Sequence, residues 1–355
     1  MRRMARRQTR HRFPAVFAAV AVYAGFCAVA PAHAGLIIDP TFDPSLSAAD
    51  DAAIQGAILE IESAITSPND LTVSIYYTSM SSGLGESTST VYDPSYYQYY
   101  SAFSAVATSP LQQTALASLG TAPTGDNSGN PVNGSAFMQI SSAEARNLGF
   151  NASGILTPDS NIDDVTGGGT YDGEVALNTS IAVPPSQLGA NPDDYSIESV
   201  ANHETDEILG IGGEGSTLDG CVFDNDCIGD LDLYRYSAPG VRSYSDEQTT
   251  SPYAYFSVDS GDDVVSYFNQ TEGADYGDWL SNPIPAGFDP QVQDAFGTPG
   301  TDPQLGPSEI TAFAAIGYEV ITPEPSTVVL TALGLVLGCG LLRRRLAVQT
   351  FRTTI

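Results

Sequence analysis

Residues 196–213 read Ser-Ile-Glu-Ser-Val-Ala-Asn-His-Glu-Thr-Asp-Glu-Ile-Leu-Gly-Ile-Gly-Gly. Asp193, Asp194 or Ser196 can cap a helix that runs to about Leu209, and Gly210, Gly212 and Gly213 end it. On such a helix His203 and Glu207 stand four apart on one face, so an imidazole and a carboxylate can grip one cation. Glu204 is turned about 100° away and can reach a water on that cation. The pattern is His-Glu-x-x-His with glutamate in place of the second histidine. The competing reading is an acidic surface helix that carries a histidine by chance.

Outward from this helix the body reads as one α+β domain with a helix-rich first half. Ile54, Ile58, Ile61 and Ile65 recur at helical spacing between Ser47 and Thr66, and Leu71, Val73, Ile75 and Tyr77 alternate as in a half-buried strand. Ser81 to Ser89 reads as a glycine/serine loop. Tyr92 to Tyr100 is tyrosine-dense, which favours rings packed on a helix over a carbohydrate platform. Short helices are expected at 109–119 and 141–148, separated by the Thr121 to Gly134 loop. A loop at Thr166 to Gly169 precedes a short strand, Glu174 to Ile181, before the histidine helix. Further strands are expected around Leu231–Tyr236, Tyr253–Val258 and Val264–Phe268, with a last helix from Ser308 to Ile316.

The charge lies almost wholly on one side. Every one of the thirteen basic residues is an arginine, and only Arg146, Arg235 and Arg242 fall between the termini, against 41 of the 42 acids. Residues 35–322 therefore carry about −38. Nucleic-acid binding is excluded, because neutralising phosphates requires clustered cations. A soluble, exported, cation-attracting body fits the balance.

Residues 1–34 have the layout of a signal peptide: an arginine-rich start, an apolar run from Phe13 to Val29, and Ala32-His33-Ala34 before Gly35. His11 and His33 fall in this segment, so His203 is the only histidine of the body. At the other end Pro323-Glu324-Pro325-Ser326 precedes an uncharged stretch, Thr327 to Leu342, barely long enough to cross a bilayer, and then Arg343-Arg344-Arg345. Residues 323–346 thus read as a transmembrane sorting tag or a plain tail anchor, with 347–355 as a cytoplasmic tail. Either places the body in the cell envelope or beyond. Cys221 and Cys227, five apart in an exported chain, predict a local disulfide. Around them Asp219, Asp224, Asp226, Asp230 and Asp232 offer either a calcium site or a solvated acidic loop.

The terminal motif resembles the PEP-CTERM sorting tag, which implies an exosortase-type enzyme as a sorting partner. Across most of 36–320 the chain also resembles exported PEP-CTERM metalloprotease-like proteins related to the zincins. The residues carrying this are Ile38 to Asp43, Ser81 to Gly85, Asp172 to Thr179, Leu233 to Gly240, Gly277-Asp278-Trp279 and Ile316-Gly317-Tyr318. The resemblance implies a zincin-like fold, with a small mixed sheet and a central active-site helix. It implies metal ligands at His203 and Glu207, and Glu204 as general base. It also implies that the strand before the helix binds a peptide by edge addition.

The chain departs from the metzincin pattern in three places. Gly213 stands where the third histidine would fall, no methionine follows Met138, and Glu207 replaces a histidine. The third ligand must then be an oxygen, with Glu214, Asp219, Asp232 and Asp275 as candidates. Zinc is the expected metal, and calcium the alternative. The leading expectation is a surface-sorted metal-dependent peptidase acting on peptides or proteins. A non-catalytic surface or matrix protein with a peptidase-like fold, or a calcium-stabilised adhesin, stands beside it.

Overall fold

The alternation at Leu71, Val73, Ile75 and Tyr77 buries all four side chains on one face of an inner strand. In the computed structural model, which describes residues 35–157, 166–213, 228–243, 253–271 and 273–321 as parts of one unit, that strand belongs to a four-stranded mixed sheet. Its strands are β1 (Leu36–Phe42), β2 (Leu71–Ser79), β3 (Gly85–Ser89) and β4 (Gly173–Leu177), in the spatial order β1-β2-β4-β3. β1 and β2 run parallel, with Leu36 opposite Leu71 and Phe42 opposite Tyr77, and β4 runs parallel to β2. β3 is antiparallel to β4, with Gly85 opposite Leu177 and Ser89 opposite Gly173.

This arrangement corrects two expectations. Gly85–Ser89 is a strand and not part of a loop. Its small polar residues show no apolar alternation, because β4 supplies its ladder on one side and a helix packs against it. The strand preceding the histidine helix, β4, is not an edge: all five residues are buried between β2 and β3. The edge strands of this sheet are β1 and β3.

Helix α1 (Ala48–Ala64) starts at a capping box in which Ser47 Oγ accepts from Asp50 N and Asp50 accepts from Ser47 N. Ile54, Ile58 and Ile61 face the core, and the helix stops before Ile65, which pairs instead with Val320. In α2 (Tyr96–Val106) Tyr96, Tyr99 and Phe103 pack into the core, while Tyr97 is exposed. Short helices α3 (Pro110–Ser118) and α4 (Ser142–Asn147) follow. Helix α5 (Ile197–Leu209) packs against α1, β3 and β4, and α6 (Pro307–Ala315) closes the described chain with a two-residue strand.

The expected strand at Leu231–Tyr236 is divided. Leu231–Tyr234 is a 3₁₀ turn, and Arg235–Ala238 is the strand, in a four-stranded antiparallel sheet with Val241–Arg242, Tyr255–Phe256 and Ser266–Tyr267. Trp279, fully buried, stacks on Phe256 with ring centroids 5.6 Å apart and meets Phe268 at 5.4 Å. Among the described residues no helix is long and apolar enough to cross a membrane. The signal segment 1–34, the tag 323–346, the tail 347–355 and the Cys221–Cys227 pair lie outside the described residues.

Candidate functional site

Of the three capping candidates, Ser196 is the one that caps α5, accepting from Ser199 N, while its own hydroxyl donates to Asp302. The helix ends at Gly210, whose φ of 115° is left-handed and costly for any residue with a Cβ. The following glycines do more than terminate. A Cβ on Gly213 would stand 2.4 Å from Glu207 Cδ, and one on Gly212 would stand 2.6 Å from Asp278 Oδ1. Bare backbone at both positions lets the chain turn directly beside two carboxylates.

His203 Nδ1 lies 2.9 Å from the Val292 carbonyl oxygen. A carbonyl only accepts, so Nδ1 carries a hydrogen and Nε2 faces the other way. There it meets Glu207 Oε1 at 3.3 Å and Asp278 Oδ2 at 3.5 Å. One donor atom from each of the three residues falls within 4.8 Å of the other two, the only such group among the described residues.

Each carboxylate is fixed by its other oxygen. Ser87 Oγ donates to Glu207 Oε2 at 2.6 Å, while Gly213 N and Gln293 Nε2 donate to Asp278 Oδ1 at 3.0 Å each. Glu207 Oε1 is buried and faces His203 Nε2. Two acids and an imidazole, oriented from behind and converging on one point, are a donor set that fits a small divalent cation.

Glu204 lines the same cleft, a cavity of about 490 Å³ walled by β3, α5 and the segment 291–298. It is 6% exposed. Its Oε1 packs so closely on β3 that a Cβ on Gly85 would stand 2.3 Å from it. Burial, and then the charge of Glu207, push the Glu204 carboxyl well above its usual range. Burial also raises Asp278, to about 6, against the opposing pull of His203. For His203 burial acts downward but loses to Asp278 and Glu207, so the imidazole is raised well above its ordinary value.

The structure thus brings His203, Glu204 and Glu207 to one cleft. Of the four candidate third ligands, Asp275 lines that cleft. Asp232 is fully buried elsewhere, accepting from Gly229 N at 3.0 Å beside Asp230, and does not join the group. Glu214 and Asp219 lie outside the described residues.

The carboxylate that joins His203 and Glu207 is Asp278, which the sequence did not single out as a ligand. Its signal was its neighbour, since Trp279 is the one tryptophan of the chain. Trp279 Nε1 donates to Glu309 Oε1 at 2.9 Å, and its backbone bonds Gln293 O and Ala295 N. That anchor holds Asp278 against the strand of chain that also orients His203. Comparison with protein-family models, with curated proteins and with solved structures gives no match for this chain.

Proposed function

We propose that this protein is an exported metal-dependent peptidase of zincin-like architecture. The observation that carries the reading is the convergence of His203, Glu207 and Asp278 on one point within 4.8 Å, beside Glu204 and under a sheet edge. His203, Glu207 and Asp278 would hold the cation. One nitrogen and two carboxylate donors suit zinc, with manganese as the harder alternative. When bound, the ion supplies Lewis acidity toward a peptide carbonyl and a water.

The chain's own groups do the rest. Glu204 accepts the proton of the attacking water and passes it to the leaving amine. β3, antiparallel and outermost in the sheet, receives an extended peptide by strand addition along the cleft. Ser87 and Val292 hold Glu207 and His203 in the geometry that converges.

The direct experiment is metal analysis of the purified protein after dialysis against excess zinc. Wild type and Asp275→Asn should retain about one ion, and His203→Ala and Asp278→Asn should lose it. Equal retention by wild type and His203→Ala sinks the proposal.

A second reading has its own support. Because Asp278 and Glu207 raise His203, a protonated imidazole can neutralise the cluster with no metal, as in a non-catalytic surface protein. An empty wild-type site after dialysis favours it.

A further inference from the structure

Glu144 on α4 and Asp230 ahead of the 3₁₀ turn meet in the interior behind Glu207, exposed by only 1% and 3%. Their carboxyl groups lie within hydrogen-bonding reach of each other. Glu144 Oε1 and Asp230 Oδ2 are both buried, and beyond this pairing no donor faces them. The two side chains line a small cavity of about 20 Å³, shared with Ser87, Ser89, Ser141 and Glu207. A void of that size takes a single water-sized occupant.

The surroundings are negative on several sides. Asp230 Oδ1 already accepts from Leu231 N at 2.7 Å, and Asp232 presses its own charge on Asp230. Glu144 Oε2 sits against the C-cap of α5, 3.1 Å from where a Gly210 Cβ would stand. A helix C-terminus carries partial negative charge and repels a carboxylate there, while it favours a cation. Burial pushes Asp230 up to about 7 and Glu144 well above its usual range, as expected of two acids pressed together without a counter-ion.

We propose that the space between Glu144 and Asp230 is a second cation site, built for a hard, oxygen-seeking divalent ion of the calcium class. The two carboxylates supply the charge, and neighbouring serine and main-chain oxygens complete an all-oxygen shell. Bound there, the ion bridges α4 to the segment that enters the second sheet and braces the wall behind Glu207. Glu144 and Asp230 take no part in the His203 cluster, although Glu207 lines both spaces.

Terbium(III) serves as the probe. Tyr99 and Tyr234, both fully buried and electrostatically coupled to Asp230, are built-in sensitisers for its luminescence. In the purified full chain, tyrosine excitation should give terbium emission that calcium displaces. Calcium at a hundredfold excess over its Kd should raise Tm by roughly 5–10 °C. Glu144→Gln and Asp230→Asn, which preserve volume, should each lose both responses, and His203→Ala should keep them. Should one variant fail to fold, the other and the wild-type titration still decide. Identical responses in wild type and either folded variant overturn the proposal. So does a wild type that binds neither ion near pH 7.5, which would mean the pair is neutralised by a shared proton.

Discussion

Ser87 Oγ donates to Glu207 Oε2 across 2.6 Å, tying an edge strand of the sheet to the helix that carries His203. The bond fixes one oxygen of Glu207 and leaves the other turned toward His203 Nε2. Ser87→Ala should therefore keep the fold and weaken zinc binding by about 10- to 100-fold, the usual effect of losing a partner that orients a ligand. A competitive zinc titration measures it, and unchanged affinity would show that the tie contributes nothing to the site.

The role proposed for Glu204 is to act on the water, with the metal held by the other three residues. Glu204→Gln should lower peptide hydrolysis by about 10²- to 10⁴-fold while the metal content stays as in wild type. Hydrolysis at the parental rate would remove Glu204 from the reaction.

At Gly85, β3 lies close against α5. An added Cβ meets Glu204 Oε1 at 2.3 Å and Val200 Cγ1 at 2.7 Å. Gly85→Ala should cost about 1–3 kcal/mol of stability by overpacking and should reduce activity by displacing Glu204. Urea denaturation beside a hydrolysis assay separates the two effects, and an unchanged midpoint would contradict the contact.

Asp294 lines the cleft at 4% exposure, and burial raises its carboxyl to about 7. Below about pH 4 both folded and unfolded states hold this proton, so its contribution is complete. Between about 4 and 7 only the unfolded chain releases it, and stability falls as pH rises; above 7 the contribution is gone. Over that window the loss is on the order of 4 kcal/mol as an upper limit. Asp294→Asn, which can still accept from Gln291 N, should flatten this part of the wild-type stability–pH curve. Parallel curves for the two proteins would rule out Asp294 as the cause.

Much of the helical skeleton was legible because its signals are local. The isoleucine spacing placed α1, the buried alternation placed β2, and the serine start and glycine stop placed α5 within a residue or two. β3 was not legible, because Gly85–Ser89 has no apolar face and becomes a strand only through pairing with β4. Leu231–Tyr236 failed for a related reason: Asp230 caps a tight turn through Leu231 N, and the ladder begins only at Arg235.

The sequence by itself determined that His203 and Glu207 share one face of a capped helix, since a 3.6-residue period sets that spacing whatever surrounds it. Only the tertiary structure decided that Asp278 completes the group and that Asp232 does not. Asp278 stands far along the chain from Glu207, and no local period relates them. Its position is fixed by the burial of Trp279 and the bonds that residue makes to the chain around Gln293. A convergence of that kind comes from packing, which links residues by distance in space and leaves little trace in the order of the chain.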